Sequence, residues 1–232
     1  MKTSVERYKQ DFNQALDIYE NDYSHNDLIE FLKNGSVAEK QAAVLKLDNL
    51  YSKEDANVLI NNLTGCDGKI REAVSFKLPE FVKNYPEWFT DYVDIFIEAI
   101  IDINGNICRN TLKAIKYLKP YKAFCEVFCK RLISKTYELS IIAKNFDIQE
   151  GKYKINKEVF KLYWYLEAIY LFLDCVENNP KLVDILDNSK DVIDYTIREK
   201  AAKIISEMTS QKAFKIKALL DTDENYYVRR FK

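Results

Sequence analysis

One recurrence constrains this chain more than any other feature. The stretch Asp67-Gly68-Lys69-Ile70-Arg71-Glu72-Ala73 joins a turn pair to a helix that opens Ile-Arg-x-x-Ala. The opening returns as Tyr195-Thr196-Ile197-Arg198-Glu199-Lys200-Ala201 and begins again as Tyr227-Val228-Arg229-Arg230. Offsets of 0, 4, 8 and 11 from the first apolar residue select Ile70, Val74, Leu78 and Phe81 as one helix face. They also select Ile107, Thr111, Ile115 and Leu118, then Ile197, Ala201, Ile205 and Met208. An earlier copy, Glu39, Ala43, Leu47 and Leu50, breaks the first position. The next residue reads Lys40, Arg71, Cys108, Arg198 and Arg229 in the five copies. The starts at 39, 70, 107, 197 and 228 are separated by 31, 37, 90 and 31 residues. Periods in the thirties indicate stacked helical pairs, and the long gap is expected to hold another pair plus an insertion.

The surrounding sequence agrees with helices. Only 5 Gly and 4 Pro occur in 232 residues, too few turn formers for an all-β chain. Pro86, Pro120 and Pro180 each precede an apolar-periodic run and are read as helix starts, where a missing N–H costs nothing. Pro79 lies within a helix and is expected to kink it. Val5, Tyr8, Phe12, Leu16 and Tyr19 predict an amphipathic first helix. A short helix over 27–33 ends at Asn34-Gly35, and Ser52 with Asp55 forms a capping box for a helix that stops at Thr64-Gly65. Residues 145–156 are polar, with a turn at Glu150-Gly151-Lys152 and Asn156 as cap of the next helix. From Val159 to Val176 that helix is apolar nearly all round. Its Lys161, Glu167 and Asp174 oppose a membrane span, since each costs roughly 2.5–3.5 kcal/mol at a bilayer centre. A buried or partner-covered helix is the reading that remains.

These stretches, Leu59 to Phe81, Ile185 to Met208, Leu219 to Arg230 and more weakly Ile100 to Leu118, resemble HEAT repeats, including the type found in bilin lyases. The resemblance implies an all-α, right-handed α-solenoid of about five to six HEAT-like helical pairs, in one domain over 1–232 with an irregular insertion and a long apolar helix around 145–177. It also implies that the Ile/Val-Arg helices line the concave side. It gives Asp67, Ile70, Arg71, Ala73, Asp194, Ile197, Arg198, Asp221, Val228 and Arg229 a structural role, the Arg residues pairing with the Asp of the preceding turn to tie neighbouring repeats.

Catalytic motifs are lacking. There is no Gly-rich phosphate loop, no GxSxG and no HExxH. His25 is the single histidine, expected to be exposed near a helix start, and a His-based triad is thereby disfavoured. The five cysteines, at 66, 108, 125, 129 and 175, form no CxxC, so no metal site and no cofactor are expected, and Cys125 and Cys129 are read as core. The free thiols and the absence of a signal-like apolar segment at residues 1–7 point to a cytoplasmic protein.

Two features suit binding. Charge is segregated although the net charge is −1. Glu80, Glu87, Asp91, Asp94, Glu98 and Asp102 precede a basic run from Arg109 to Lys135, in which Arg109, Lys113 and Lys116 share one helix face. That face can hold an acidic peptide or phosphates, or simply be solvated. Aromatic residues, Tyr163 and Trp164 above all, can anchor a partner or fill the core. The function read from the sequence is a non-enzymatic protein–protein scaffold. The alternative is a DNA-binding or DNA-repair protein similar to the HEAT-like alkylpurine glycosylases, acting through Arg109–Lys135. The balance of charge disfavours it, as does the composition of the basic residues, 28 of 35 being Lys.

Overall fold

Asx and Ser residues set where the helices begin. In the computed structural model, which describes residues 4–145 and 152–231, Asp67, Asn104, Asn179, Asp194 and Asn225 each accept the N–H two residues on. Ser24, Ser36 and Ser52 each close a capping box with the acid three residues later. The described residues form fourteen α-helices and no strand. The chain divides into two compact units, Met1–Tyr121 and Lys122–Lys232.

The first unit contains α1 (Ser4–Glu20), α2 (His25–Asn34), α3 (Val37–Lys46), α4 (Lys53–Ile60), α5 (Gly68–Asn84), α6 (Val93–Ala99) and α7 (Gly105–Ile115). Here α3 packs on α5 and α5 on α7, while α2 and α6 lie against α3 and α7. The offsets read from the sequence define the interior. Ile70, Val74, Leu78 and Phe81 are buried, as are Ile107, Thr111, Ile115 and Leu118 and also Ala43, Leu47 and Leu50. Gly35 follows α2 in an extended conformation, and a Cβ there would sit 2.5 Å from the Phe31 carbonyl oxygen, so the close approach needs glycine.

The second unit contains α8 (Lys122–Lys144), α9 (Lys152–Leu171), α10 (Leu173–Val176), α11 (Pro180–Lys190), α12 (Tyr195–Ser206), α13 (Gln211–Leu220) and α14 (Tyr226–Arg229). The row of packed helices is α9 on α12 and α12 on α14, flanked by α8, α11 and α13. The region that fits no copy of the sequence pattern therefore still supplies a helical pair, α8 with α9. Ile197, Ala201, Ile205 and Met208 are buried.

Several expectations change. Of the apolar face expected on α1, Val5, Phe12, Leu16 and Tyr19 are exposed, while Ile18, outside that set, is buried; the Tyr8 side chain lies outside the described residues. Pro79 does lie inside α5, which runs on to Asn84. Pro86 and Pro180 do open helical turns, but Pro120 lies in the turn before α8. The helix of α4 ends at Ile60, before Thr64-Gly65, and Gly65 takes a positive φ of 71° in the turn that follows. The run 159–176 is two helices, broken at Phe172 (φ −108°, ψ 24°). Asn156 lies inside α9 and does not cap it. The turn expected at Glu150-Gly151 lies outside the described residues. Among the described residues no helix is long and apolar enough to cross a membrane.

Candidate functional site

The arginine that marks the repeat occupies one helical position throughout. Counting from the capping residue, Lys40, Arg71, Cys108, Arg198 and Arg229 are all the fourth residue of their helices. A side chain there points back toward the helix start, over the preceding turn. The turn has carbonyls that no helix satisfies. Arg71 donates Nη1 to the Cys66 carbonyl. Arg198 Nη1 reaches the carbonyls of Val192 and Ile193, at 2.9 and 2.7 Å. Arg229 Nη1 reaches those of Asp223 and Glu224. Lys40 donates to the Lys33 carbonyl at 3.1 Å, and the Cys108 thiol to the Asp102 carbonyl at 3.1 Å.

The other edge of the guanidinium reaches forward. Arg71 Nε and Nη2 bond Asp102 Oδ2 and Oδ1 at 2.7 and 3.4 Å. Arg198 repeats this on Asp223, at 2.6 and 3.3 Å. Each acid stands two residues before a capping asparagine, and its Oδ1 accepts that asparagine's N–H at 2.8 Å. The acids that pair with Arg are thus Asp102 and Asp223 of the following turn, which corrects the expectation of Asp67, Asp194 and Asp221 in the preceding one. The carboxylates of Asp67 and Asp194 are occupied by the N–H groups of Lys69 and Thr196, as caps. Asp221 ends α13, its N–H bonded to the Lys217 carbonyl. Lys40 makes a weaker version of the forward bond, to Asn62 Oδ1 at 3.3 Å.

The electrostatics follow this geometry. The bond to Asp102 raises the Arg71 pKa above its ordinary value, against the opposing effect of burial. Burial pushes Asp223 up, but Arg198, the Asn225 N–H and the charges of Arg198 and Arg229 outweigh it and hold the carboxyl below the ordinary range. Cys108 is fully buried and its thiol is pushed up to about 12, mainly by burial and then by Asp102.

The residues singled out for binding fall into two groups, one in each unit. Arg109 and Lys113 on α7 and Lys116 in the 3-10 turn directly after it are exposed and, among the described residues, form no ion pair. Arg109 donates to Asn106 Oδ1 at 3.2 Å, and Lys116 lies 4.8 Å from the Tyr117 ring centroid. On α5, which packs beside α7, Phe76 is 67% exposed. Trp164 is not available as a surface anchor: it is 8% exposed, and among the described residues its Nε1 has no hydrogen-bond partner. Tyr163 is half-buried, edge-on to Trp164 at 5.3 Å, with Lys200 of α12 4.7 Å from its ring centroid. Lys200 also pairs with Glu167, and Lys203 lies 3.8 Å from the Tyr170 centroid. The α9 aromatic face is therefore taken up by lysines of α12.

His25 is likewise not an exposed residue. Its Nε2 lies 2.9 Å from Asp55 Oδ2, and its ring is 4.2 Å from that of Tyr51. Burial pushes Asp55 up, yet the Tyr51 N–H, His25 and Ser52 together hold it below the ordinary value. This joins α2 to the cap of α4 and is structural.

No protein-family model matches the chain, and neither does any curated protein or solved structure.

Sequence reasoning missed Asp102, Asp223, Asn62 and the α9–α12 pairs. For the two acids a signal was present, Asp-x-Asn directly before a helix: Asp102-Ile103-Asn104 and Asp223-Glu224-Asn225. The partners Glu167 and Lys200 carry no local signal, since nothing in either segment states that the two helices meet.

Proposed function

We propose that this chain is a non-enzymatic, HEAT-like α-solenoid scaffold that binds an acidic protein segment on the face bearing Arg109, Lys113 and Lys116. The observation that carries the reading is how the charged groups are used. At the turns, cations are committed to carbonyls and to Asp102 or Asp223, which ties helical pairs together and leaves them no catalytic task. On α7 and the 3-10 turn after it, three exposed cations, Arg109, Lys113 and Lys116, pair with no acid among the described residues. An apolar side chain, Phe76, stands exposed on the adjacent helix, so the surface suits acidic residues interspersed with apolar ones.

The test is a fluorescence-anisotropy titration of the intact protein with an acidic peptide containing Leu and Phe, and in parallel with duplex DNA. The expected result is saturable peptide binding that weakens with salt and falls about tenfold or more in Arg109→Glu/Lys113→Glu/Lys116→Glu. Absence of peptide binding at low salt sinks the proposal. Tighter binding of the duplex would replace it with the nucleic-acid reading.

A further inference from the structure

Three of the five cysteines meet in the second unit. A cavity of about 330 Å³ is lined by Cys125 and Cys129 of α8 and Cys175 of α10, with Lys122, Glu126 and Lys130 on the same helix as the first two. Cys125 and Cys129 are one helical turn apart and each is 7% exposed, whereas Cys175 is exposed to solvent. Cys129 and Cys175 face this cavity together with Cys125, and the nearness of Cys175 and Cys125 adds to burial in raising the Cys129 thiol. None of the five cysteines is in a disulfide, and Cys66 and Cys108 are spent on carbonyls, the former on Asn62 and the latter on Asp102 and Asn104.

We infer that Cys175 and Cys129 form a peroxide-responsive dithiol, with Cys175 the thiol that is oxidised first and Cys129 the one that resolves it. The inference rests on this cavity and not on the scaffold reading. The roles follow from access. Cys129 is 7% exposed and meets little solvent, and burial together with the neighbouring Cys175 and Cys125 pushes its thiol up to about 12, which disfavours direct reaction with peroxide. Cys175 is the one of the pair that a small hydroperoxide reaches. Its sulfur attacks the O–O bond; an S–O bond forms, the peroxide is reduced to water, and the thiol becomes a sulfenic acid. The Cys129 sulfur then attacks the Cys175 sulfur. The S–O bond breaks, the S–S bond forms, and the Cys129 proton leaves with the hydroxyl as water. The product staples α10 to α8.

The experiment treats the full chain with hydrogen peroxide, blocks remaining thiols with N-ethylmaleimide, and maps peptides by mass spectrometry without reduction. The expected result is a linked Cys129–Cys175 peptide, lighter by two hydrogens than its parts, with Cys108 recovered as the blocked thiol after denaturation. Cys129→Ser should abolish the link and leave a Cys175 sulfenic acid that dimedone traps. Cys125→Ser should leave the link intact and shows that loss of a neighbouring thiol does not itself disrupt the site. A Cys125–Cys175 link, a disulfide between two chains through Cys175, or a Cys175 that is overoxidised without crosslinking in the unaltered protein would each overturn the inference.

Discussion

A cation near the start of a helix opposes the positive end of the helix dipole. Arg71 and Arg198 stand there because two other interactions outweigh that repulsion: bonds to turn carbonyls and a two-pronged bond to a half-buried carboxylate. Arg71→Ala should therefore cost about 2 kcal/mol, since it strands the Asp102 carboxylate and frees a turn carbonyl. Arg71→Lys should recover only part of this, because an ammonium cannot span both carboxylate oxygens. Denaturant titrations of Arg71→Ala, Asp102→Ala and the double variant would check it; additivity of the two single effects would show that the residues do not act as a pair. The Asp223 carboxyl, held low by Arg198, gives the second residue-scale prediction. Its folded pKa is depressed, so its contribution is complete above the unfolded value of about 3.9 and is lost as pH falls through the lower folded value. Thermal melts should show Asp223→Asn destabilised near neutral pH, with the gap to the parent protein closing as pH drops from about 4 toward 2. At this scale the sequence was readable for the position of the arginines and for the Ser52–Asp55 capping box, whose roles are local, but not for Asn156, which lies inside α9. It misled on the acids, because the nearest Asp in sequence was already occupied by an N–H.

Whole helices were legible where a single face is buried. The offsets on α5, α7 and α12 each identify residues that are inside. The same reasoning failed on α1, where Val5, Phe12, Leu16 and Tyr19 lie open. Periodicity reports that a helix has an apolar face and does not say what covers it. On α9 the difficulty was the reverse: a helix apolar nearly all round has no face to identify. Its packing is resolved by polar groups, Glu167 and the Tyr163 and Tyr170 rings meeting Lys200 and Lys203. Burial lowers the Lys200 pKa, but the bond and charge of Glu167 outweigh this and leave it raised. Glu167→Ala should consequently be the damaging change, about 2–3 kcal/mol, because it leaves Lys200 half-buried without its acid. Glu167→Met/Lys200→Met together should cost less than Glu167→Ala alone, as an apolar pair of similar volume removes the need for a partner. Urea unfolding of both variants checks this, and a double variant weaker than the single one would reject it.

For the molecule as a whole, composition carried the fold class, since few Gly and Pro and repeated helix caps leave little but α-helix. Division into the units Met1–Tyr121 and Lys122–Lys232 carried no such signal, as no Gly- or Pro-rich linker marks residue 121. The balanced net charge also conceals the exposed cations Arg109, Lys113 and Lys116 at α7 and the turn after it. Salt dependence is the whole-molecule signature of the proposed binding: attraction that depends on a local stripe within a nearly neutral protein should fade over the screening length of physiological salt, about 8 Å. The arginine braces have one more consequence. Arg71 and Asp102 are 31 residues apart and Arg198 and Asp223 only 25, yet the two pairs have the same geometry. The clasp thus fixes the spacing of its two ends while remaining indifferent to how much chain is looped between them. Such a joint accommodates loops of different length without any change in the bonds at its two ends.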